Sequence, residues 1–89
     1  MKKKYHFIAI GGVGMSGLAK FLLQKGFEVS GSDISDSKYV QEVKKLGAKV
    51  YLKHDADNVP DDCTVIVSTA IKASNPEVIR AKELKLKIW

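Results

Sequence analysis

The stretch Tyr5-His-Phe-Ile-Ala-Ile10-Gly-Gly-Val-Gly-Met-Ser-Gly17 decides how this chain folds. Its first six residues, Tyr5 to Ile10, form a nearly continuous apolar run, the pattern of a strand covered on both faces. A glycine cluster follows. Met15 to Lys25 then reads as a helix with Leu18, Ala19, Leu22 and Leu23 on one side. Gly26 is placed to end that helix as a left-handed cap. Within the cluster, Gly12-x-Gly14-x-x-Gly17 stands between strand and helix, where G-x-G-x-x-G cradles a diphosphate. In that reading Gly12 allows the tight turn, and Gly14 lets a phosphate approach the backbone. Gly17 lets the helix pack closely on the strand, and Gly11 adds backbone freedom. The first amides of the helix are unpaired and carry the positive end of its dipole, so they favour an anion. Ser16 either donates its hydroxyl to a phosphate or satisfies its own turn.

Outward from this unit, strand and helix patterns alternate. Phe27 to Gly31 reads as a second strand, and Ser35, Asp36 or Ser37 can cap a second helix. That helix carries Tyr39, Val40, Val43 and Leu46 at helical spacing and stops at Gly47. Lys49 to Leu52 is a third strand, and Asp55 to Asp62 is a polar loop with room for one short turn. Thr64 to Ser68 is a β-branched fourth strand. Asn75 caps a third helix with Pro76 at its first position. Leu86 to Trp89 begins a fifth strand. The order β-α-β-α-β-β-α-β predicts an α/β fold: a single-domain, Rossmann-like parallel sheet of about five strands with helices on both faces.

A chain of 89 residues suffices for one small domain, spanning 1–89. Ending on the apolar Trp89 as a strand begins suggests a piece of something larger, and so a binding domain. The sequence is 45% hydrophobic and 28% charged, the balance of a folded globular chain. No apolar run approaches the ~20 residues of a membrane span, so no membrane partner is expected. One cysteine, Cys63, rules out an internal disulfide and a cysteine-based zinc cage, and fits a cytoplasmic location. The net charge of +5 comes from 14 lysines and Arg80 against 10 acidic residues. Specific nucleic-acid readers use arginine forks and stacking aromatics. Here the lysines are scattered and the aromatics follow strand or core patterns, so no nucleic-acid partner is expected.

Three further positions point to a ligand. Asp33 lies 21 residues after Gly12, at the end of the second strand. There an acidic side chain reaches a ribose diol, whose hydroxyls donate to it. His54 follows the third strand alone, and no ligand spacing joins it to His6, so no metal site is expected. Ser68 and Thr69 bring two hydroxyls to the carboxyl end of the fourth strand, the edge where open α/β sheets bind ligands. No serine, cysteine or histidine set suggests nucleophilic catalysis. On these residues alone, NAD and a UDP-sugar are equally good ligands.

Five segments together carry a resemblance. Ile8-Ala-Ile-Gly-Gly-Val-Gly-Met-Ser-Gly17, Val29-Ser-Gly-Ser-Asp33, His54 with Ala56-Asp-Asn-Val59, Ser68-Thr-Ala-Ile71 and Asn75-Pro-Glu-Val78 occur in this order. The whole chain resembles the N-terminal domain of the UDP-N-acetylmuramate–L-alanine ligase family, one of the peptidoglycan Mur ligases. The resemblance implies a three-domain parent. Its first domain binds UDP-N-acetylmuramate, its central domain binds ATP and magnesium, and its last helps to bind the amino acid. In such a parent ATP phosphorylates the muramoyl carboxylate and L-alanine attacks the acyl phosphate. The resemblance places Gly12, Val13, Gly14, Met15, Ser16 and Gly17 at the diphosphate loop and Asp33 at the uridine end. It places His54 near the nucleotide, and Ser68, Thr69 and Ala70 beside the diphosphate and sugar. Thr69 stands where the family has a second serine, and Lys53 where a glycine often precedes the histidine. The central and C-terminal domains are absent, and with them the ATP loop. The chain is therefore expected to bind but not ligate, with no cofactor and no catalytic residue of its own. The alternatives are an NAD-binding regulatory module and the related ligase that recycles cell-wall tripeptide.

Overall fold

The computed structural model describes residues 3–89. Five parallel strands form one sheet: β1 (Lys4–Ile8), β2 (Glu28–Ser32), β3 (Lys49–Tyr51), β4 (Thr64–Val67) and β5 (Lys87–Ile88), in the order β3-β2-β1-β4-β5. Helices α1 (Val13–Gln24) and α2 (Lys38–Lys45) make the first two crossovers, and α3 (Pro76–Glu83) makes the last. Between β3 and β4 the chain makes only a short 3-10 turn, Ala56–Asn58. The strand order reverses between β1 and β4, which leaves a crevice above their carboxyl ends. The α/β, Rossmann-like reading of the sequence agrees with this architecture.

Side chains alternate across the sheet. Phe7, Val29 and Ile66 point to one face, where Ala19 and Leu22 of α1 and Val40 and Val43 of α2 cover them. Ile8 and Val65 point to the other, under Val78 and Ala81 of α3 and Val59. Gly26 takes φ +87 just after α1, the left-handed conformation expected of it. Ser37 caps α2 by accepting from the Val40 amide, and Asn75 caps α3 by accepting from Glu77. The β4–β5 ladder runs one residue past β5, because Trp89 exchanges backbone hydrogen bonds with Val65 and Val67 at 2.8 Å each.

Several local expectations need correction. β1 stops at Ile8 instead of running to Ile10. Ala9 turns the chain at φ +70, a conformation costing an L-residue roughly 1–2 kcal/mol. The amides of Ala9 and Ile10 both donate to the Ser32 carbonyl at 2.9 Å, which anchors this turn to the end of β2. Ile10 is fully buried but lies over Gly31, where a Cβ would come within 2.8 Å of the isoleucine Cβ. Leu18 and Leu46, expected on buried helix faces, are 41% and 50% exposed. Met15 packs in place of Leu18. Phe21 and Trp89 are also largely exposed and belong to neither core cluster.

Candidate nucleotide site

A groove of about 680 Å³ opens at the carboxyl ends of β1, β2 and β4. Ala9, Gly11, Gly12, Gly14 and Met15 form its floor, Asp33, Ser35 and Ser37 one wall, and Ser68 and Ala70 the other. Of the residues expected at a ligand, the structure gathers Gly12, Gly14, Met15, Asp33, Ser68 and Ala70 here. Val13, Ser16, Gly17, His54 and Thr69 do not line it. Gly11, Ser35 and Ser37 do, though the sequence suggested them only as loop and cap residues. Their signal was position, since each stands within a few residues of Gly12 or Asp33.

The loop is built to leave donors free. α1 begins at Val13 behind Gly12, which has no side chain to cap it. The Ser16 amide bonds to the Gly12 carbonyl at 2.7 Å, whereas the amides of Val13, Gly14 and Met15 find no acceptor among the described residues. These three donors stand at the positive end of a twelve-residue helix, the arrangement that holds an anion. A Cβ on Gly14 would meet nothing within 4 Å, so its missing side chain opens the loop to a ligand and relieves no internal crowding.

The other glycines play different parts from those expected. Gly12 has φ −63 and ψ 149, a conformation open to any residue, so the tight turn belongs to Ala9. Gly17 is exposed, and a Cβ there would meet nothing within 4 Å, so it serves no close helix–strand packing. Gly11 is required by space. Its amide donates to Asp33 Oδ2 at 2.8 Å, and a Cβ would sit 2.7 Å from that oxygen and 2.9 Å from Val40 Cγ2. The second Asp33 oxygen accepts from the Ser35 amide at 3.1 Å. Asp33 therefore ties the glycine loop to the end of β2 and still offers lone pairs to the groove. The Ser16 hydroxyl is buried and donates to the Val13 carbonyl at 3.1 Å, so it satisfies its own turn in this structure.

Among the described residues no lysine or arginine lines the groove. An anion would be held by amides and by the hydroxyls of Ser35, Ser37 and Ser68. A second cavity, of about 480 Å³, lies among Tyr5, Phe27, Val29, Tyr51 and Pro60, mostly at the starts of β1 to β3 and away from the glycine loop.

His54 belongs to a separate, buried polar cluster that the sequence did not reveal. Glu77, in the first turn of α3, is fully buried. One of its oxygens accepts from His6 Nε2 at 2.5 Å, and His6 Nδ1 lies 2.7 Å from the Ser30 hydroxyl. The other accepts from the Asp55 amide and from Asn58 Nδ2, each at 3.1 Å, and lies 3.4 Å from His54 Nδ1. His54 Nδ1 is also 2.8 Å from the Ser32 hydroxyl. Burial raises the Glu77 pKa, but hydrogen bonds from His6, Ser32 and Asn58, with the His6 charge, outweigh it and hold the carboxyl below the usual carboxylate range. Every buried side-chain nitrogen and oxygen among the described residues is hydrogen-bonded. His6 had looked like one more member of an apolar strand.

Cys63 has no activating partner among the described residues. Burial, with Asp62 beside it, pushes its thiol up to about 11, against a smaller opposing effect from Lys4. No set of three or more His, Cys, Asp or Glu among the described residues is placed to hold a metal ion. The sequence has no G-x-x-x-x-G-K-S/T loop either. The described residues therefore do not form a site for ATP and magnesium. No helix among the described residues is long and apolar enough to cross a membrane.

Comparison with known proteins adds to this geometry. Residues 4–88 match the family model described as Mur ligase family, catalytic domain. The chain is 50% identical over 86 residues to the UDP-N-acetylmuramate–L-alanine ligase of Hydrogenobaculum sp., covering 97% of this chain and 19% of that protein. It superimposes on the UDP-N-acetylmuramate–alanine ligase of Thermotoga maritima with a TM-score of 0.91 and 38% identity, covering 96% of this chain and 20% of that one. A ligase from Neisseria meningitides that joins UDP-N-acetylmuramate to L-alanyl-γ-D-glutamyl-meso-diaminopimelate gives a TM-score of 0.88 and 29% identity, over 100% of this chain and 28% of that one. The chain thus spans about a fifth of the length of the curated relatives it matches.

Proposed function

The chain belongs to the Mur ligase family, and on that premise we propose that residues 1–89 bind UDP-N-acetylmuramate for an ATP-dependent ligase that adds L-alanine to it in peptidoglycan synthesis. The observation that carries this reading is the set of three unpaired amides, Val13, Gly14 and Met15, at the head of α1 over the sheet's switch point. A nucleoside diphosphate sugar supplies the matching chemistry: a diphosphate for the amides, hydroxyls for a carboxylate, and a sugar at the far wall. In this reading the diphosphate rests on Gly12 to Met15 and Asp33 takes hydroxyls at the uridine end. Ser68 and Ala70, with Thr69 beside them, approach the sugar.

The role of these residues is to bind and orient. The groove holds the diphosphate by backbone donors fixed in place before the ligand arrives, so little is lost in ordering them. Among the described residues its one ionisable side chain is Asp33, which this reading assigns to ligand hydroxyls rather than to the reacting carboxylate. Chemistry then belongs to the central and C-terminal domains expected of the parent, the chain's partners in this account. The reading places the work in the cytoplasm.

Calorimetric titration of the chain with UDP-N-acetylmuramate and with NAD tests the proposal. Binding of the UDP-sugar with NAD silent is the expected result. Binding of NAD alone would move the chain to the dinucleotide class, and silence with both would refute a preformed site. The higher identity to the L-alanine ligases, 50% and 38% against 29%, favours them over the tripeptide ligase.

A further inference from the structure

The buried cluster under α3 reaches the carboxyl edge of the sheet through one side chain, His54, which does not line the groove but packs on Ser32, the residue before the groove's Asp33. Its Nδ1 is occupied on the inside, 2.8 Å from Ser32 Oγ and 3.4 Å from Glu77 Oε2. Its Nε2 has no partner among the described residues and is not sealed from solvent, since no buried side-chain nitrogen among them is left unbonded. Ser32 ends β2, one residue before Asp33, so the ring is held beside the strand that supplies a carboxylate to the groove.

The chemistry of the inner partners selects the tautomer. A carboxylate only accepts hydrogen bonds. A lone pair on Nδ1 would face the Glu77 charge and be repelled, whereas a proton there is attracted to that charge and donates to Ser32 Oγ. Glu77 itself cannot turn away. His6 grips one oxygen, and the Asp55 amide and Asn58 grip the other. The groups facing His54 from the packed elements are thus Ser32 on β2 and Glu77 on α3, with His6 on β1 fixing Glu77 from behind. The Lys53–Asp55 ion pair beside the histidine lies largely in solvent.

The geometry points to Glu77 as a positioning residue that, with Ser32, holds the His54 proton on Nδ1 and leaves Nε2 as a hydrogen-bond acceptor for a hydroxyl or N–H donor of the nucleotide. This rests on the UDP-N-acetylmuramate reading above for the identity of the ligand, but the state of the ring does not depend on it. With its proton on Nδ1 alone, His54 cannot donate to a phosphate oxygen through Nε2. It selects the uridine or sugar part of the ligand, while the amides of the glycine loop take the diphosphate.

Ring-nitrogen NMR of the unliganded chain at about pH 8, where an ordinary imidazole is neutral, tests the claim. His54 is expected to show a protonated Nδ1 and a bare Nε2. Glu77→Gln replaces an acceptor with a group that can donate, and should move the proton toward Nε2. Ser32→Ala keeps the His6–Glu77 pair and should loosen the preference, so it decides the matter if Glu77→Gln does not fold. A wild-type ring protonated on Nε2, or a ring unmoved by the variants that fold, overturns the proposal.

Affinity for UDP-N-acetylmuramate supplies the second readout. Each variant is expected to bind roughly ten-fold more weakly, the scale of one hydrogen bond. In a His54→Ala background the same changes should cost nothing further. Equal losses in both backgrounds would show that Glu77 acts only through the fold and overturn its positioning role. If the wild-type chain ignores UDP-N-acetylmuramate, the functional reading fails and the ring spectrum still decides the tautomer.

Discussion

The glycine loop and the Glu77 cluster lie on the same small sheet, and both are polar. They differ in what their polar groups have left to give. At the loop, Val13, Gly14 and Met15 keep their amide hydrogens unspent. Under α3, the Glu77 oxygens are both engaged and the His6 ring is bonded at both nitrogens. Unspent donors facing solvent are a capacity to bind. A closed network of donors and acceptors is a requirement for folding, because removing one member leaves the others buried and unpaired. His54 is the member of the second group that retains one free atom.

The largest effect that separates the two regions should come from Glu77→Ala. It leaves His6, Asn58 and the Asp55 amide facing a void, and breaking a buried pair of this kind costs roughly 3–5 kcal/mol. Urea unfolding should show it as a lower midpoint with little change in slope. The same group sets the acid limb of stability. Its pKa is lowered from 4.5 on folding, so the unfolded chain binds the proton more readily. The stability it contributes is complete above about pH 4.5 and drains away as pH falls through its lower folded value. A Glu77→Gln chain should lose that portion of the acid dependence.

Gly11→Ala comes next. Its Cβ would press on Asp33 Oδ2 at 2.7 Å and Val40 Cγ2 at 2.9 Å, and overpacking of this sort costs about 1–3 kcal/mol. Thermal melting should detect it without any ligand. Gly14→Val should do the reverse, leaving the melting temperature near wild type while UDP-N-acetylmuramate affinity falls more than about ten-fold, a loss above 1.4 kcal/mol. A Gly14→Val chain that binds normally would contradict the assigned loop. The smallest effect belongs to Gly17→Ala, which meets open space in a helix and should stabilise by up to about 1 kcal/mol.

Much of the fold could be read in advance, because periodicity reports burial. β4, the Asn75 cap and the left-handed Gly26 stand where the pattern put them, β1 does so but for its last two residues, and Ser37 is the cap among the three residues offered. The site was legible as a motif but not in its detail. G-x-G-x-x-G assigns a task to each glycine, and in this chain the turn is taken by Ala9 while Gly17 faces solvent. Gly11 is needed only because Asp33 and Val40 come back over it, a contact between residues 22 and 29 positions apart. The Glu77 cluster was the least legible. Its members are spread from His6 to Glu77, and each alone has an ordinary local explanation: a strand residue, a loop histidine, a first-turn acid. Only the sheet's register, which sets His6 beside Ser30 and brings α3 across them, reveals them as one group.

The most direct test of the central claim is an amide-resolved NMR titration of the chain with UDP-N-acetylmuramate. The account predicts the largest shifts at the amides of Val13, Gly14 and Met15, with smaller ones around Asp33 and from Ser68 to Ala70. Shifts centred instead on Tyr5, Phe27 and Tyr51, or no shifts at saturating ligand, would contradict it.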